Sequence, residues 1–235
     1  LEQVVNRYRG AVSMWNVGCG VNVNENFTFT AEQMLDLTRM SSLLARQSRK
    51  GARTMMEISH PFSEHAATNR DAMGTFMFVE RLIQEGVKVD AIGVQLMMGV
   101  NAQGRTTRDM FAISCLLDRF VLLQTPVVIS CAGVPSEVID AHGGTWHEAW
   151  SEDVQAQWAS RLFPMILSKP FVESFCWADI VDSANSEMLK DGLIEESGKV
   201  KSVYAKLTGM RRRLRKPLGA MKSPFKTTSA SVAET

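Results

Sequence analysis

The sequence predicts an α/β protein built on a parallel β-sheet flanked by helices. Five short runs with β-strand character recur along the chain, four of them continuously apolar, and a segment with helical spacing follows each run. Strands that are apolar throughout are typical of sheets buried on both faces. The choice lies between a doubly wound sheet and a (β/α)8 TIM barrel, of which these units would be the last five of eight.

The first unit combines a strand at 12–17 with a helix at 31–47. The strand is a short β-like run that leads into a loop rich in glycine and asparagine. Thr30 and Gln33 have the spacing of a capping box, in which each side chain satisfies a backbone N–H of the first helical turn. Leucines after this cap are spaced to form an apolar helix face.

The second and third units follow directly. A strand at 54–58 precedes a helix at 71–85, and Gly86 ends that helix because glycine readily adopts the left-handed conformation of a C-terminal cap. A strand at 90–95 then precedes a helix at 107–123.

The last two units complete the alternation. A strand at 126–131 precedes a helix at 152–167, for which Ser151 is a good N-cap. A strand at 171–177 precedes a final helix at 200–215. That helix carries its arginines near its C-terminus, where the helix dipole favours positive charge.

Composition excludes a few classes of partner. The chain has 235 residues, 45% hydrophobic and 22% charged, with a net charge of +1, which suits one globular domain or a large part of one. The basic run at 211–216 is typical of a solvated helix end, so no nucleic-acid partner is predicted. No apolar run approaches the roughly 20 residues of a membrane span, so no membrane partner is predicted.

The cysteines are expected to be buried thiols. They form no CxxC pair, and four cysteines in a chain of this length do not predict a disulfide framework. The four are Cys19, Cys115, Cys131 and Cys176.

The chain ends give two further expectations. The chain begins with Leu1, and a missing N-terminus would remove any signal peptide. A domain at 1–216 is expected to precede a disordered tail at 217–235.

Polar side chains gather directly after the predicted strands. In both candidate architectures, the carboxyl ends of the strands form the active site. The positions therefore predict a functional site at this edge of the sheet. The residues are Asn22, Asn24, Glu25, His60, Glu64, Gln95, Ser130, Cys131, Asp179 and Asp182.

Three strand ends also carry motifs, namely Trp15-Asn-Val-Gly-Cys-Gly20, Gly93-Val-Gln-Leu-Met97 and Pro126-Val-Val-Ile-Ser-Cys131. They are similar to W-D-V-x-N-E, G-I/L-Q-x-H and P-v-x-I-T-E, which mark barrel strands in glycoside hydrolase family 10, the endo-β-1,4-xylanases. Further matches continue through Trp177 and Gly192-Leu193. The resemblance extends over 4–214 and implies strands four to eight of a (β/α)8 barrel, while the family's first three strands have no counterpart.

The resemblance implies a protein directed at β-1,4-linked xylan or a related oligosaccharide, but it fails at the catalytic positions. A retaining glycosidase uses two carboxyl groups about 5 Å apart, one as acid/base and one as nucleophile. The acid/base falls at Gly20 and the nucleophile at Cys131. The His that supports the nucleophile falls at Met97, and an Asp of the first motif falls at Asn16. Standard retaining hydrolysis is therefore expected to be lost.

Other residues are candidates for a relocated catalytic role or for substrate binding. Glu25 follows Gly20 on the same loop and is the candidate replacement acid, with a solvated loop position as the alternative. Glu64 follows the next strand and is a candidate sugar ligand. The remaining substrate-binding candidates are Trp15, Asn16, Gln95 and Trp177. For the two tryptophans, packing in the core is the alternative to sugar contact.

No metal or cofactor is predicted. His142, His147 and Glu148 are zinc-type ligands, but their spacing fits no standard motif and a surface loop is favoured. The segment Gly18-Cys-Gly20 lacks the third glycine of a dinucleotide-binding fingerprint. A pairing of Cys131 with a distant histidine stays open.

Three functions stay open at this point. The chain is a xylan-directed barrel without standard hydrolysis, a glycosidase that uses displaced carboxylates such as Glu25 and Glu64, or an interaction module that docks a partner through its basic tail at 211–235. The resemblance is compatible with a secreted or periplasmic location. The oligomeric state does not follow from the sequence.

Stability is a separate expectation. Five strands of an eight-stranded barrel leave two open sheet edges and an uncovered inner face. The sequence therefore predicts a chain that is marginally stable or prone to aggregate unless further barrel units complete it.

Overall fold

A computed structural model describes residues 1–186 and 188–214. Within these ranges, five parallel strands form one sheet in sequence order, as expected for part of a (β/α)8 barrel. The predicted tail at 217–235 and the end of the basic run lie outside the described residues. The strands are β1 (Met14–Cys19), β2 (Arg53–Ile58), β3 (Ala91–Met97), β4 (Val127–Gly133) and β5 (Val172–Trp177).

Helices alternate with these strands, and the predicted caps form. Thr30 Oγ1 accepts the backbone N–H of Gln33 at 3.2 Å, while Gln33 Oε1 accepts the N–H of Thr30 at 2.8 Å. Ser151 caps its helix by accepting the N–H of Val154 at 3.3 Å. The helices are α1 (Glu2–Tyr8), α2 (Ala31–Ser48), α3 (His65–Thr68), α4 (Thr75–Gln84), α5 (Met110–Phe120), α6 (Glu152–Leu167) and α7 (Ser202–Leu214).

Two predicted helices are shorter in the structure. The helix expected from residue 71 begins at Thr75, after Gly74 in an extended conformation. The helix expected from residue 107 begins at Met110, because the carboxylate of Asp109 accepts the N–H of Ala112 at 2.7 Å and caps it there.

The two faces of the sheet differ in chemistry. Alternate strand residues such as Ile58, Val94 and Ile129 pack under the helices in the main hydrophobic core. The opposite side chains form what we call the inner face. Its lower layer is a small apolar cluster, and its upper layer is polar. The lower layer comprises Met14, Met55, Ala91 and Val128, and the upper layer comprises Asn16, Glu57, Gln95 and Ser130.

An ion pair links two strands that are not neighbours in the sheet. Arg53 on β2 donates to Glu173 on β5 at 2.7 Å, although two strands lie between them. The pair connects the starts of these two strands.

The prediction that strands are buried on both faces is correct only for the centre of the sheet. β2 and β3 are almost entirely buried, whereas most residues of β1 and β5 are exposed or only half-buried. Each outer strand has one neighbour in the described sheet, so its other edge has no strand partner there. The expectation of marginal stability stays a prediction.

The expectation of buried thiols is wrong for most of the cysteines. Cys131 is half-buried, the others are exposed, and none of the four forms a disulfide. Cys19 and Cys176 lie on the outer strands, and Cys115 lies on α5, so their positions at the sheet edges and on a helix surface account for the exposure.

Two remaining observations concern partners. Among the described helices, none has the length and apolar composition needed to cross a bilayer. The last turn of α7 presents three exposed arginines, Arg211–Arg213, while the rest of the basic run lies outside the described residues. Docking of a partner through this tail stays a prediction.

Candidate functional site

The carboxyl ends of β1 and β2 border an open cleft of about 290 Å³. Most of its walls come from the loop after β1 and from the first residues after β2, which is the edge at which the sequence predicts a site. The polar and glycine positions that line it include Gly20, Glu25, Asn26, Ser59, His60 and Arg105.

Gly20 has a backbone conformation that a glutamate would adopt only with strain. Its φ is +58°, in the left-handed region, and its N–H donates to the carbonyl of Glu57 at 3.0 Å. A Cβ atom at this position would lie 2.5 Å from Ser59 Oγ. The predicted acid/base position therefore lacks a carboxyl group, and any side chain there would adopt a strained backbone and displace the Ser59 hydroxyl.

Two buried asparagines hold the loop after β1. Asn22 Nδ2 donates to the carbonyl of Met73 at 3.1 Å. Asn24 Nδ2 donates to the carbonyls of Phe29 at 2.9 Å and Asp71 at 3.0 Å, and Asn24 Oδ1 accepts the N–H of Phe29 at 3.1 Å. These side chains, predicted as strand-end polar residues, thus fix the loop by bonding to backbone.

His60 is the titratable ring of the cleft. Its Nδ1 lies 2.8 Å from Ser59 Oγ. Burial, followed by the charges of His65 and Arg105, lowers the pKa of His60 below its usual 6.5, although the acidic Glu25 and Glu64 oppose this shift. The imidazole is therefore neutral at pH 7 and can donate or accept one hydrogen bond.

The two candidate acids have different surroundings. Glu25 is exposed and lines the cleft. Glu64 forms an ion pair with Arg108, whose guanidinium also lies 5.2 Å from the ring centre of Phe62. Only Glu25 is therefore presented to the cleft, and Glu64 holds the loop that follows β2.

The polar layer of the inner face brings two other candidates together. Asn16 Nδ2 donates to Glu57 Oε2 at 2.5 Å, and Gln95 Nε2 lies 3.5 Å from Cys19 Sγ. Asn16 is exposed, whereas Glu57 and Gln95 are nearly buried. Glu57 is a carboxylate on β2 whose side chain reaches the polar layer of the inner face. Its apolar neighbours on β2 give no sign that its side chain faces inward.

The predicted nucleophile position lies farther along the sheet. Cys131 is half-buried on β4 and stands opposite Gln95 in the parallel register. Met97, at the position of the supporting histidine, is buried near Gly133. These strand ends therefore present a thiol and a thioether where the family motifs have a carboxylate and an imidazole.

The tryptophans proposed for sugar contact are largely used for packing. Trp15 is 8% exposed and packs with Val5, Ala45 and Ala52, so we leave it out of the proposed binding surface. Trp177 is half-buried, donates its indole N–H to the carbonyl of Asp191 at 2.8 Å and meets the ring of Trp158 edge-on.

The opposite corner of the same edge contains an acid that the sequence analysis does not name. Asp191 is fully buried, with its carboxyl group near Gly133. Burial, and then the charge of Asp179, raise the pKa of Asp191 from 3.8 to about 7. Neither carboxyl oxygen of Asp191 has a hydrogen-bond partner among the described residues. In the sequence, the only sign of this acidic corner is that Asp179 and Asp182 precede Asp191 along the chain.

Nearby, Asp182 and Lys201 form a buried ion pair. Lys201 Nζ donates to Asp182 Oδ1 at 2.7 Å, to Ser136 Oγ at 2.9 Å and to the carbonyl of Lys190 at 3.1 Å. The side chain of Lys201 is 2% exposed and that of Asp182 is 5% exposed. A buried ion pair with additional hydrogen bonds therefore holds the segment after β5 against this edge of the sheet.

Metal ligands do not assemble in the part of the chain that the structure describes. There, no group of three or more His, Cys, Asp or Glu side chains is arranged to hold an ion. His142 Nδ1 lies 3.5 Å from Asp140 Oδ1, while the ring of His147 meets that of Trp146 at 4.4 Å.

Comparison with known proteins gives matches of structure alone, since no protein-family model and no curated protein matches the chain. Xylanase 10B from Thermotoga petrophila RKU-1 has a TM-score of 0.64 and 17% identity, over 91% of this chain and 64% of that one. Native xylanase 10B from Thermotoga maritima gives the same values. A GH10 structure from Paenibacillus barcinonensis has a TM-score of 0.63 and 16% identity, over 90% and 65%.

These matches confirm the predicted fold. The structural neighbours are family 10 xylanases, as the strand-end motifs indicate, and the five-stranded sheet corresponds to part of their (β/α)8 barrel. The chain spans a little under two thirds of the length of these structures.

Proposed function

We propose that this chain is part of a family 10-type barrel that binds xylan-type β-1,4-linked oligosaccharides and does not cleave them by the retaining mechanism. The open cleft lies at the carboxyl edge of a parallel sheet, where barrels of this class bind substrates. Its walls offer amide, carboxylate, imidazole and guanidinium groups that suit sugar hydroxyls. One structural neighbour was solved with xylobiose and another with xylotriose.

The loss of hydrolysis is supported above all by Gly20. Cleavage requires a proton donor for the leaving oxygen and a carboxylate that attacks the anomeric carbon. Gly20 has no group that donates a proton, and its left-handed backbone with Ser59 Oγ 2.5 Å from a Cβ position disfavours any side chain. The predicted position of the attacking carboxylate carries the thiol of Cys131.

A thermal-shift titration with xylotetraose, run beside a reducing-sugar assay, tests both parts. We expect xylotetraose to raise the melting temperature with saturating dependence, because a ligand that binds only the folded state stabilises it by about 2.7 kcal/mol at 100 times its Kd. Maltotetraose, with α-1,4 linkages, is the control and should cause no shift. Release of reducing ends above the level of heat-inactivated protein would contradict the loss of hydrolysis.

A second function, hydrolysis by a relocated acid, is favoured by one observation. Glu25 is exposed and lines the same cleft as His60. Under this alternative, Glu25→Gln abolishes a measurable release of reducing sugar. The matched control is Glu80→Gln, which removes an exposed carboxylate on α4. Equal rates for both variants would exclude Glu25 as the acid.

A further inference from the structure

Phe27 is an exposed aromatic ring at the cleft. Its exposed fraction is 63%, which is high for a phenylalanine, and its ring stacks on Phe29 with 5.0 Å between centroids and 21° between planes. Stacking on Phe29 leaves the other face of the Phe27 ring available to a second flat or weakly polar group.

The loop that carries Phe27 is held in place before any ligand arrives. Asn24 makes three hydrogen bonds, two to Phe29 and one to the carbonyl of Asp71. Asn69 Nδ2 donates to the carbonyl of Val23 at 3.0 Å. Little conformational entropy is therefore lost when a ligand packs on the ring, which favours affinity.

Phe27 stands between two clefts. The first is the cleft of about 290 Å³ that Gly20 and His60 line. The second, of about 510 Å³, is lined by polar groups that include Asn69 and Asp71. The segment Asn24–Phe27 borders both clefts. A chain of linked rings that crosses this segment would meet an aromatic face flanked by amides and carboxylates.

We propose that Phe27 is the stacking platform for one pyranose ring of a β-1,4-linked oligosaccharide, with Glu25 and Asn26 as hydrogen-bonding partners of its hydroxyls. The axial C–H groups of a pyranose form an apolar surface, while its hydroxyls are equatorial, so an aromatic face beside amide and carboxylate groups matches both. This inference rests on the proposed function and assigns to Phe27 the stacking role predicted for Trp177.

The experiment is a calorimetric titration of the full chain with xylotetraose. We expect Phe27→Ala to weaken binding about tenfold, which corresponds to about 1.4 kcal/mol. Phe27→Trp should bind at least as tightly as the wild type because it offers a larger ring. Phe111→Ala is the matched control, since Phe111 is 77% exposed on α5 and should leave the affinity unchanged.

Phe27→Leu separates stacking from simple burial, because leucine keeps apolar volume and loses the ring. We expect its affinity to be close to that of Phe27→Ala. If Phe27→Leu, or Phe27→Ala with an unchanged melting temperature, binds xylotetraose like the wild type, the stacking role is overturned while the proposed function stands. If the wild type binds no xylotetraose, both fall together. If Phe27→Ala does not fold, a loss of affinity in a folded Phe27→Trp overturns the proposal.

Discussion

Two corners of the same sheet edge are built in opposite ways. The corner after β1 and β2 is open, and the predicted acid/base position there is Gly20. The corner after β4 and β5 contains Asp191, whose pKa is raised to about 7, but that side chain is fully buried. The open corner has space but no acid at the predicted acid/base position, and the closed corner has a protonated acid without space. Hydrolysis of a sugar chain needs both in one place.

The difference follows from how each corner is held together. Neutral amides of Asn22 and Asn24 fix the open corner by bonding to backbone carbonyls. The closed corner buries Asp182 against Lys201 and keeps Asp191 protonated near neutral pH. Burying a charge is tolerated only when it is paired or neutralised.

The largest expected effect comes from breaking the closed corner. Lys201→Met removes the cation from Asp182 and leaves a buried carboxylate beside other acids, so we expect the free energy of unfolding to fall by about 4 kcal/mol. Urea unfolding at pH 7, followed by circular dichroism, measures this loss.

The matched control for that change is Lys199→Met. Lys199 pairs with Glu152 and Glu195, but its side chain is 63% exposed, so its removal should leave the free energy of unfolding nearly unchanged. Equal losses for the two lysines would show that the buried pair does not stabilise the closed corner.

The next effect is a dependence of stability on pH. In the unfolded chain Asp191 ionises near 3.8, whereas in the folded chain it keeps its proton up to about pH 7. The folded state thus binds more protons within this window, and the free energy of unfolding falls as pH rises from about 4 to 7, by roughly 3 kcal/mol, and then levels off.

Asp191→Asn isolates this contribution. The amide cannot ionise, so the difference in unfolding free energy between the wild type and this variant should change across pH 5–7 and stay constant above about pH 8. A difference that is independent of pH in this window would mean that Asp191 is ionised in the folded protein.

The smallest expected effect on stability concerns Gly20 in the open corner. Gly20→Ala should lower the free energy of unfolding by about 2 kcal/mol, from its left-handed backbone and from the contact with Ser59. Gly51 has φ +80° with nothing within 4 Å of a Cβ position, so Gly51→Ala measures the backbone cost alone, about 1 kcal/mol.

Gly20→Glu extends this prediction to catalysis. The substitution places a carboxyl group at the predicted acid/base position, yet the same strain applies, and the predicted nucleophile position still carries the thiol of Cys131. We expect no release of reducing sugar from xylan. Hydrolysis above background, or a Gly20→Ala variant as stable as Gly51→Ala, would contradict the geometry of this corner.

Local patterns predicted the elements better than the contacts between them. The capping residues Thr30 and Ser151 were predicted correctly, because a cap depends on residues three positions apart. β1 was displaced from 12–17 to Met14–Cys19, because its ends are set by pairing with β2, which lies some 40 residues further on. The inward orientation of Glu57 depends on the same pairing and was not predicted.

The sequence by itself determined the alternation of strands and helices, and it predicted a site at the strand ends with Gly20 and Cys131 at the expected catalytic positions. Only the tertiary structure decided that Gly20 adopts a left-handed backbone beside Ser59, that Asp191 is enclosed with Asp179, and that Trp15 packs in the core. Periodicity and residue chemistry are local properties of the chain. Strain, burial and pKa depend on neighbours that are distant in sequence, and packing alone brings these together.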